Sequence, residues 1–287
     1  MKDILMTEAD LNIFLTGVGL VNEQARFSEL TGGFHNAVWL VEIGDRRLVA
    51  KYFSESMTGT LFPNLPMDEA EALRRLEGLD VAPRLVGFWP EVSLLVYEYV
   101  QGTMWNSDMV GVAELLLRKE AADPTGFRTV SLRSEDILME GDLLFARCAS
   151  EAVEFRPKPM AIPKLEKLSL IHTDVGVNLV GTGAGLRLID WQCPAIGDIC
   201  EDIYSFLSPA FQILGGRLPL TDEQISIFWN ALDRCDIAHR YDQLRASFAW
   251  RFSGYCAWQE QVLEDPNICS KYSRALEVEL AYIKDAP

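Results

Sequence analysis

The stretch IHTDVGVNLVGTGAGLRLIDW, residues 171–191, gathers oxygen-bearing side chains around a cluster of glycines. Asp174, Asn178 and Asp190 follow one another at short intervals, with Gly181, Gly183 and Gly185 between the last two. Carboxylate and amide oxygens are hard ligands. Two of them on a compact site suit Mg²⁺, which retains waters and is usually shared with substrate phosphates. A further carboxylate placed differently suits a base that takes a proton from an attacking hydroxyl. Taken singly, Asp174 and Asn178 are ordinary turn caps. The ordered set His-x-Asp-x-x-x-Asn, glycine turn, Ile-Asp-Trp is what points to chemistry.

The glycines themselves admit two readings. A dinucleotide-binding loop needs a strand, a glycine turn and then a helix whose N-terminus faces the pyrophosphate. The residues after Gly185 are LRLID, which alternate and contain no helix start. A strand on both sides predicts a hairpin folded near Gly183, with Asn178 opposite Leu188–Asp190 and Asp174 one short loop away.

A second charged constellation lies upstream. Lys51 sits in the strand-like LVAKYF, where Val49, Lys51 and Phe53 share a face. A lysine among apolar neighbours needs a partner charge. Glu69, in DEAEALRRL on the next helix, is the first candidate and Glu71 the alternative.

The elements that must position these residues fall into two groups. Thr7 with Asp10 caps a short first helix. HNAVWLVEI and RRLVAKYF read as strands joined at Gly44-Asp45, a helix is expected over 68–79, and RLVGFW and SLLVYEYV read as two more strands. Beyond Gly102 the pattern is mainly helical, over 108–121, 134–153, 199–213, 221–234, 238–264 and 270–284, interrupted by the strand-like island at 171–191. The expectation is an α+β protein of two lobes, 1–101 with a small antiparallel sheet and one helix, and 102–287 mainly helical, with a ligand cleft between them.

Bulk composition narrows the partners. The 287 residues carry 42 acids against 26 Lys and Arg, a formal charge of −16, which opposes binding to nucleic acid or an anionic membrane. No window approaches the roughly 18 apolar residues of a membrane span, and MKDILMTEAD does not read as a signal peptide. Six cysteines without a C-x-x-C, and three scattered histidines, argue against a zinc site or a disulfide framework and for free thiols in the cytoplasm.

These motifs resemble the aminoglycoside phosphotransferase and choline kinase family, which has a protein-kinase-like fold. The match is carried by His172–Asn178 (HTDVGVN), Leu188–Trp191 (LIDW), Gly197-Asp198 and Glu201-Asp202. The resemblance implies Asp174 as catalytic base, Asn178 and Asp190 as Mg²⁺ ligands, Asp202 as a structural acid and His172 as a residue that shapes the loop. It favours Glu69 over Glu71 as the partner of Lys51. LTGGFHN resembles the GG-x-x-N phosphate loop of such kinases, implying Gly32, Gly33 and Asn36 at the ATP, although a simple hairpin turn explains those residues too. LLVYEYVQG resembles the connector between lobes, with the backbone of Glu98 to Val100 at the adenine.

Two departures stand out. Lys119-Glu120 occupies the place where many relatives have a Leu-His pair, and Gln192 follows Asp-Trp where many have Glu. The implied activity is transfer of the γ-phosphoryl group of ATP, with Mg²⁺, to a hydroxyl of a small molecule. The alternatives are a catalytically inactive nucleotide-binding module on the same scaffold and a Rossmann oxidoreductase. For the acceptor, a cationic amino alcohol or aminoglycoside-like compound is expected. Trp191, Trp250, Tyr255 and Trp258 are the candidate pocket aromatics, with core packing as the competing explanation of the helical ones.

Overall fold

In the computed structural model, residues 6–22, 24–30, 36–54, 60–148 and 152–284 are described. The chain opens with α1 (Glu8–Gly17), whose N-terminus is closed by a reciprocal capping box. The Thr7 hydroxyl accepts from the Asp10 N–H at 3.2 Å, and the Asp10 carboxylate accepts from the Thr7 N–H at 3.1 Å. The strands β1 (Arg26–Glu29), β2 (Asn36–Ile43), β3 (Arg46–Phe53), β4 (Leu85–Trp89) and β5 (Leu94–Glu98) form one antiparallel sheet in the order β1-β2-β3-β5-β4. Gly44, at φ +58°, turns β2 into β3.

Strand alternation gives the sheet two covered faces. On one, Leu48, Ala50, Leu94 and Val96 pack with Trp39 and Val41 beneath Leu11 and Leu15 of α1. On the other, Val49, Phe53, Leu95 and Tyr97 join the main core with Ala70, Ala72 and Leu73 of α2 (Pro66–Arg75). Lys51 lies on this second face by its register against Val38 and Leu95. Helix α2 begins at Pro66, ahead of the expected start, because a missing N–H costs nothing in the first turn. It ends at Arg75, earlier than expected from the apolar pattern, and the chain turns through Gly78 at φ +82°.

The remainder holds α3 (Met109–Lys119), α4 (Ser134–Phe145), α5 (Ile199–Leu207), α6 (Pro209–Leu214), α7 (Asp222–Leu232), α8 (Cys235–Val262) and α9 (Pro266–Lys284). A three-stranded sheet of β6 (Thr103–Met104), β8 (Leu179–Thr182) and β9 (Gly185–Leu188), and a pair formed by β7 (Ser169–Ile171) and β10 (Ala195–Gly197), complete it. Of these, β6, β7 and β10, of two or three residues each, lie below the length at which alternation can be read. Four helix expectations change. The helix expected over 134–153 ends at Phe145. That over 199–213 is two helices, because Pro209 forces Ser208 to ψ 129°, and the Ser208 hydroxyl then caps α6. Helices α8 and α9 each begin a few residues earlier than expected.

All six cysteines are free. Among the described residues no helix is long and apolar enough to cross a membrane.

Candidate active site

The hairpin predicted around GTGAG is present. Leu179 pairs with Leu188 and Thr182 with Gly185, and Gly185 takes φ +111°. No helix follows the glycines, which removes the dinucleotide-loop reading and the oxidoreductase with it. At the open end the Ile189 N–H donates to the Asn178 carbonyl at 3.0 Å, so Asn178 and Asp190 leave the hairpin side by side. Asp190 then turns the chain at φ +61°, a conformation that Asp tolerates better than most residues.

Lys51 links the sheet to this hairpin. Its ammonium donates to Glu69 Oε2 at 2.7 Å and to Asp190 Oδ1 at 2.5 Å. Glu69 is buried, whereas Glu71 faces outward and pairs with Arg74 and Arg75. Burial opposes the charge on Lys51, but the carboxylates of Asp190 and Glu69 outweigh it and hold its pKa above the ordinary value. Burial pushes Glu69 up, with the Lys51 charge opposing.

Asp174 and Asn178 face the same space. The Asn178 amide nitrogen donates to the Asp174 carbonyl at 2.8 Å and to its carboxylate Oδ2 at 3.1 Å. With both N–H groups used, Asn178 Oδ1 is left as an acceptor facing the cavity. Burial, reinforced by the neighbouring Asp190 charge, raises Asp174 to about 7. Among the described residues no three His, Cys, Asp or Glu side chains are grouped to cage a metal alone. An amide oxygen beside one carboxylate instead suits a cation that completes its shell with phosphate and water.

The loop before Asp174 is held from beneath. The buried Asp202 carboxylate accepts from the His172 N–H at 2.9 Å and the Thr173 N–H at 2.8 Å. Thr173 is at φ +70°, unfavourable for a β-branched residue, and its hydroxyl is held by the Cys193 carbonyl at 3.3 Å. His172 Nδ1 accepts from the Asp174 N–H at 3.2 Å and Nε2 lies 2.9 Å from the Ile189 carbonyl. An amide N–H can only donate and a carbonyl can only accept, so the ring is neutral with its proton on Nε2. Burial lowers its pKa in agreement. His172 thus ties the Asp174 loop to the strand leading into Asp190. Gly176 sits so close to α5 that a Cβ there would meet the Ser205 carbonyl oxygen at 2.3 Å.

Lys119 proves to be part of this support. Its side chain is 0% exposed. The ammonium lies 3.0 Å from Asp202 Oδ2 and donates to the Leu170 carbonyl at 2.5 Å. The sequence marked Lys119 only as a departure from a pattern. Its position seven residues after the buried Val112 and three after Leu116 was the available signal, since it continues the apolar stripe of α3.

Above this support, the site opens into one cavity of about 660 Å³. Lys51, Asp174, Asn178 and Asp190 line it, with Tyr97, Tyr99 and Val100 on the side of the sheet. Among the described residues no backbone carbonyl accepts the Val100 N–H. The Glu98 side chain does not reach the cavity and pairs with Arg84 at the surface. Asn36 lines the cavity and exchanges amide hydrogen bonds with Asn64, and it also donates to Gln192 Oε1 at 3.2 Å. Gly32 and Gly33 lie outside the described residues.

Of the four candidate pocket aromatics, only Tyr255 lines the cavity. Trp191 is a core residue, its indole N–H bonded to the Leu188 carbonyl and its ring edge-on to His172 at 4.6 Å. Trp250 is also core, packed on Phe145 and donating to Asp142 Oδ1 at 2.9 Å. Trp258 does not line the cavity but stands behind Tyr255 at 6.1 Å, with the Arg147 guanidinium over its ring. The pocket walls missed from sequence are Phe62, Phe211 and Tyr272, contributed by separate segments, and Phe252 joins them from the same aromatic stretch as Tyr255.

No protein-family model and no curated protein matches the sequence. The structure is another matter. It is similar to the choline kinase LicA from Streptococcus pneumoniae, also solved with AMP (16% identity over 96% of this chain and 99% of that one, TM-score 0.64). It is similar to the aminoglycoside phosphotransferase APH(4)-Ia (14%, 98% and 100%, TM-score 0.66). A Plasmodium vivax ethanolamine kinase also matches (13%, 96% and 90%, TM-score 0.64). The chain therefore has the kinase-like α+β fold of these proteins, a sheet-based N-terminal region against a helical C-terminal one, as the sequence motifs implied.

Proposed function

We propose that the protein is a small-molecule kinase that transfers the γ-phosphoryl group of ATP to a hydroxyl of its acceptor. One observation carries this reading: Lys51 bridges Glu69 and Asp190 on the wall of a cavity that Asp174 and Asn178 also face. Solved structures of the same fold include complexes with AMP and ADP, which supports the nucleotide.

In this reading residues 1–101 form the nucleotide lobe and 102–287 the catalytic lobe. Lys51, oriented by Glu69, contacts the α- and β-phosphates. The Gly32-Gly33 loop and Asn36 cover them, and the backbone of Glu98–Val100 meets the adenine. Asn178 Oδ1 and Asp190 are the oxygen donors that would hold Mg²⁺, which supplies positive charge to the phosphates when bound. Asp174 accepts the proton of the acceptor hydroxyl as its oxygen bonds to the γ-phosphorus, and the bond to the β–γ bridging oxygen breaks to release ADP. His172 and Asp202 fix the loop that aims Asp174. Positioning and electrostatics account for most of the rate gain in such a site.

The test is ADP release by the purified protein with MgATP across a panel of hydroxyl compounds. Asp174→Asn should lower turnover by about 10²–10⁴ while leaving nucleotide binding in place. Turnover that survives this substitution would remove Asp174 as the base. Nucleotide binding with no turnover on any acceptor would favour the inactive binding module, and no nucleotide binding would overturn the reading.

A further inference from the structure

The part of the cavity beyond Asp174 has its own chemistry, and it does not match a cationic acceptor. Its walls are aromatic. Phe252 has near-parallel neighbours in Phe211, at 4.0 Å and 13°, and Tyr255, at 5.9 Å and 19°. Phe62 stands nearly perpendicular to Tyr255 at 5.1 Å and 85°. Tyr272 stands across Tyr255 at 6.1 Å and 71°. Tyr255 and Tyr272 line the same cavity as Asp174, whose charge adds to the rise that burial imposes on both hydroxyls.

A quaternary or primary ammonium group needs either a free ring face or a free carboxylate. Here Phe211 and Phe252 cover each other's faces, and Phe62 and Tyr272 meet Tyr255 at steep angles, so the cluster packs on itself and offers an apolar wall. Asp174 and Asp190 are the only carboxylates among the described lining residues. Asp190 is held by Lys51 and Asp174 faces the acceptor hydroxyl, which leaves none for an ammonium. The remaining charge is Lys271, in the second turn of α9, which lines the cavity at its exposed rim. Among the described residues no carboxylate pairs with it. A like charge placed against this ammonium is disfavoured and an anion is attracted.

Resting on the kinase reading above, we propose that the acceptor is a hydroxyl compound with an apolar or aromatic body and an anionic group. Its hydroxyl lies at Asp174, its body against Phe252 and Tyr255, and its acid at Lys271. The amino alcohols expected from the sequence resemblance are the class this pocket selects against.

Three probes of one shape and different charge test this: para-hydroxymethyl benzoate, the corresponding benzamide and the corresponding benzylamine. With MgATP, kcat/KM should fall in that order, with the acid ahead of the amide by about two- to fivefold, the scale of an exposed ion pair. The ratio should shrink as salt is raised. Lys271→Glu, at an exposed position, should reverse the order of acid and amine. A wild-type preference for the amine, equal rates for all three, or an order unchanged in Lys271→Glu would overturn the proposal.

Calorimetric binding of the same probes in the presence of MgADP separates this inference from the kinase reading. Acid-selective binding that disappears in Lys271→Glu upholds the acceptor class even if no turnover is found. If none of the three binds while another hydroxyl compound is phosphorylated, the acceptor class is wrong and the kinase reading stands.

Discussion

Replacing Lys119 by Met removes a buried positive charge from beneath the Asp174 loop at little change in volume. The consequence follows from what remains. Asp202 keeps the N–H donors of His172 and Thr173, but its carboxylate loses the ammonium 3.0 Å away, and both partners are 0% exposed. Breaking one side of a buried ion pair costs about 3–5 kcal/mol, because the partner charge is left uncompensated. The retained amide donors place the expectation in the lower half of that range, still a large part of the 5–15 kcal/mol typical of a folded domain. Urea denaturation should show this loss. The variant Lys119→Met with Asp202→Asn, which removes both charges, should recover at least about 2 kcal/mol of the summed single losses in a double-mutant cycle.

The same substitution carries a functional expectation. Lys119 does not line the cavity, so the KM for nucleotide should hardly change. Thr173, at φ +70°, is kept in an unfavourable conformation by its bonds to Asp202 and Cys193. Loosening that grip should displace Asp174 and lower kcat. A Lys119→Met variant within 1 kcal/mol of wild type, or a cycle with no coupling, would refute the argument that this ion pair carries the loop.

Other expectations are more local. Lys51→Met should abolish the link between the sheet and Asp190 and raise the KM for ATP by at least about tenfold, roughly one lost charge-assisted contact, measured by initial rates. Gly176→Ala places a Cβ 2.3 Å from the Ser205 carbonyl and should destabilise by about 1–3 kcal/mol through overpacking, read from the urea midpoint. Buried Glu279 accepts from Tyr204, Ser208 and the Ala210 N–H but, among the described residues, has no cation, and burial raises it from 4.5 to about 7. A raised carboxyl favours the fold fully below pH 4.5, and that contribution is lost as pH rises to about 7, by at most about 3 kcal/mol. Glu279→Gln should therefore gain on wild type between pH 5 and pH 8 in urea midpoints, and a constant difference would show that Glu279 does not titrate in that window.

The parts of the site that could be read from sequence share one property: short loops of chain close them. Asp174, Asn178 and Asp190 lie within one hairpin and its flanks, so glycine placement and strand alternation suffice to bring them together. Lys51 and Glu69 are 18 residues apart on consecutive elements, and Glu69 rather than Glu71 follows from which face of α2 is buried. The acceptor pocket has no such economy. Phe62, Phe211, Phe252 and Tyr272 come from four segments whose proximity only the assembled fold defines. Within α8 the sequence could not choose between its aromatics. Trp250 and Tyr255 are five positions apart, about 140° around a helix of 3.6 residues per turn, so one faces α4 and the other the cavity.

Buried charge occupies the ground between these cases. Lys119 and Glu279 have no sequence neighbour that explains them, yet each falls on an apolar stripe. Lys119 follows Val112 and Leu116 on α3, and Glu279 follows Tyr272 and Ala275 and precedes Ile283 on α9. A charged residue in phase with the core cannot stay there unpartnered, so the pattern forecasts that a partner exists without naming it. For Lys119 the partner is Asp202, 83 positions later, in a motif already marked as structural. For Glu279 it is a set of neutral donors from α5 and α6. That difference explains why removing Lys119 should destabilise the protein, whereas neutralising Glu279 should stabilise it above neutral pH.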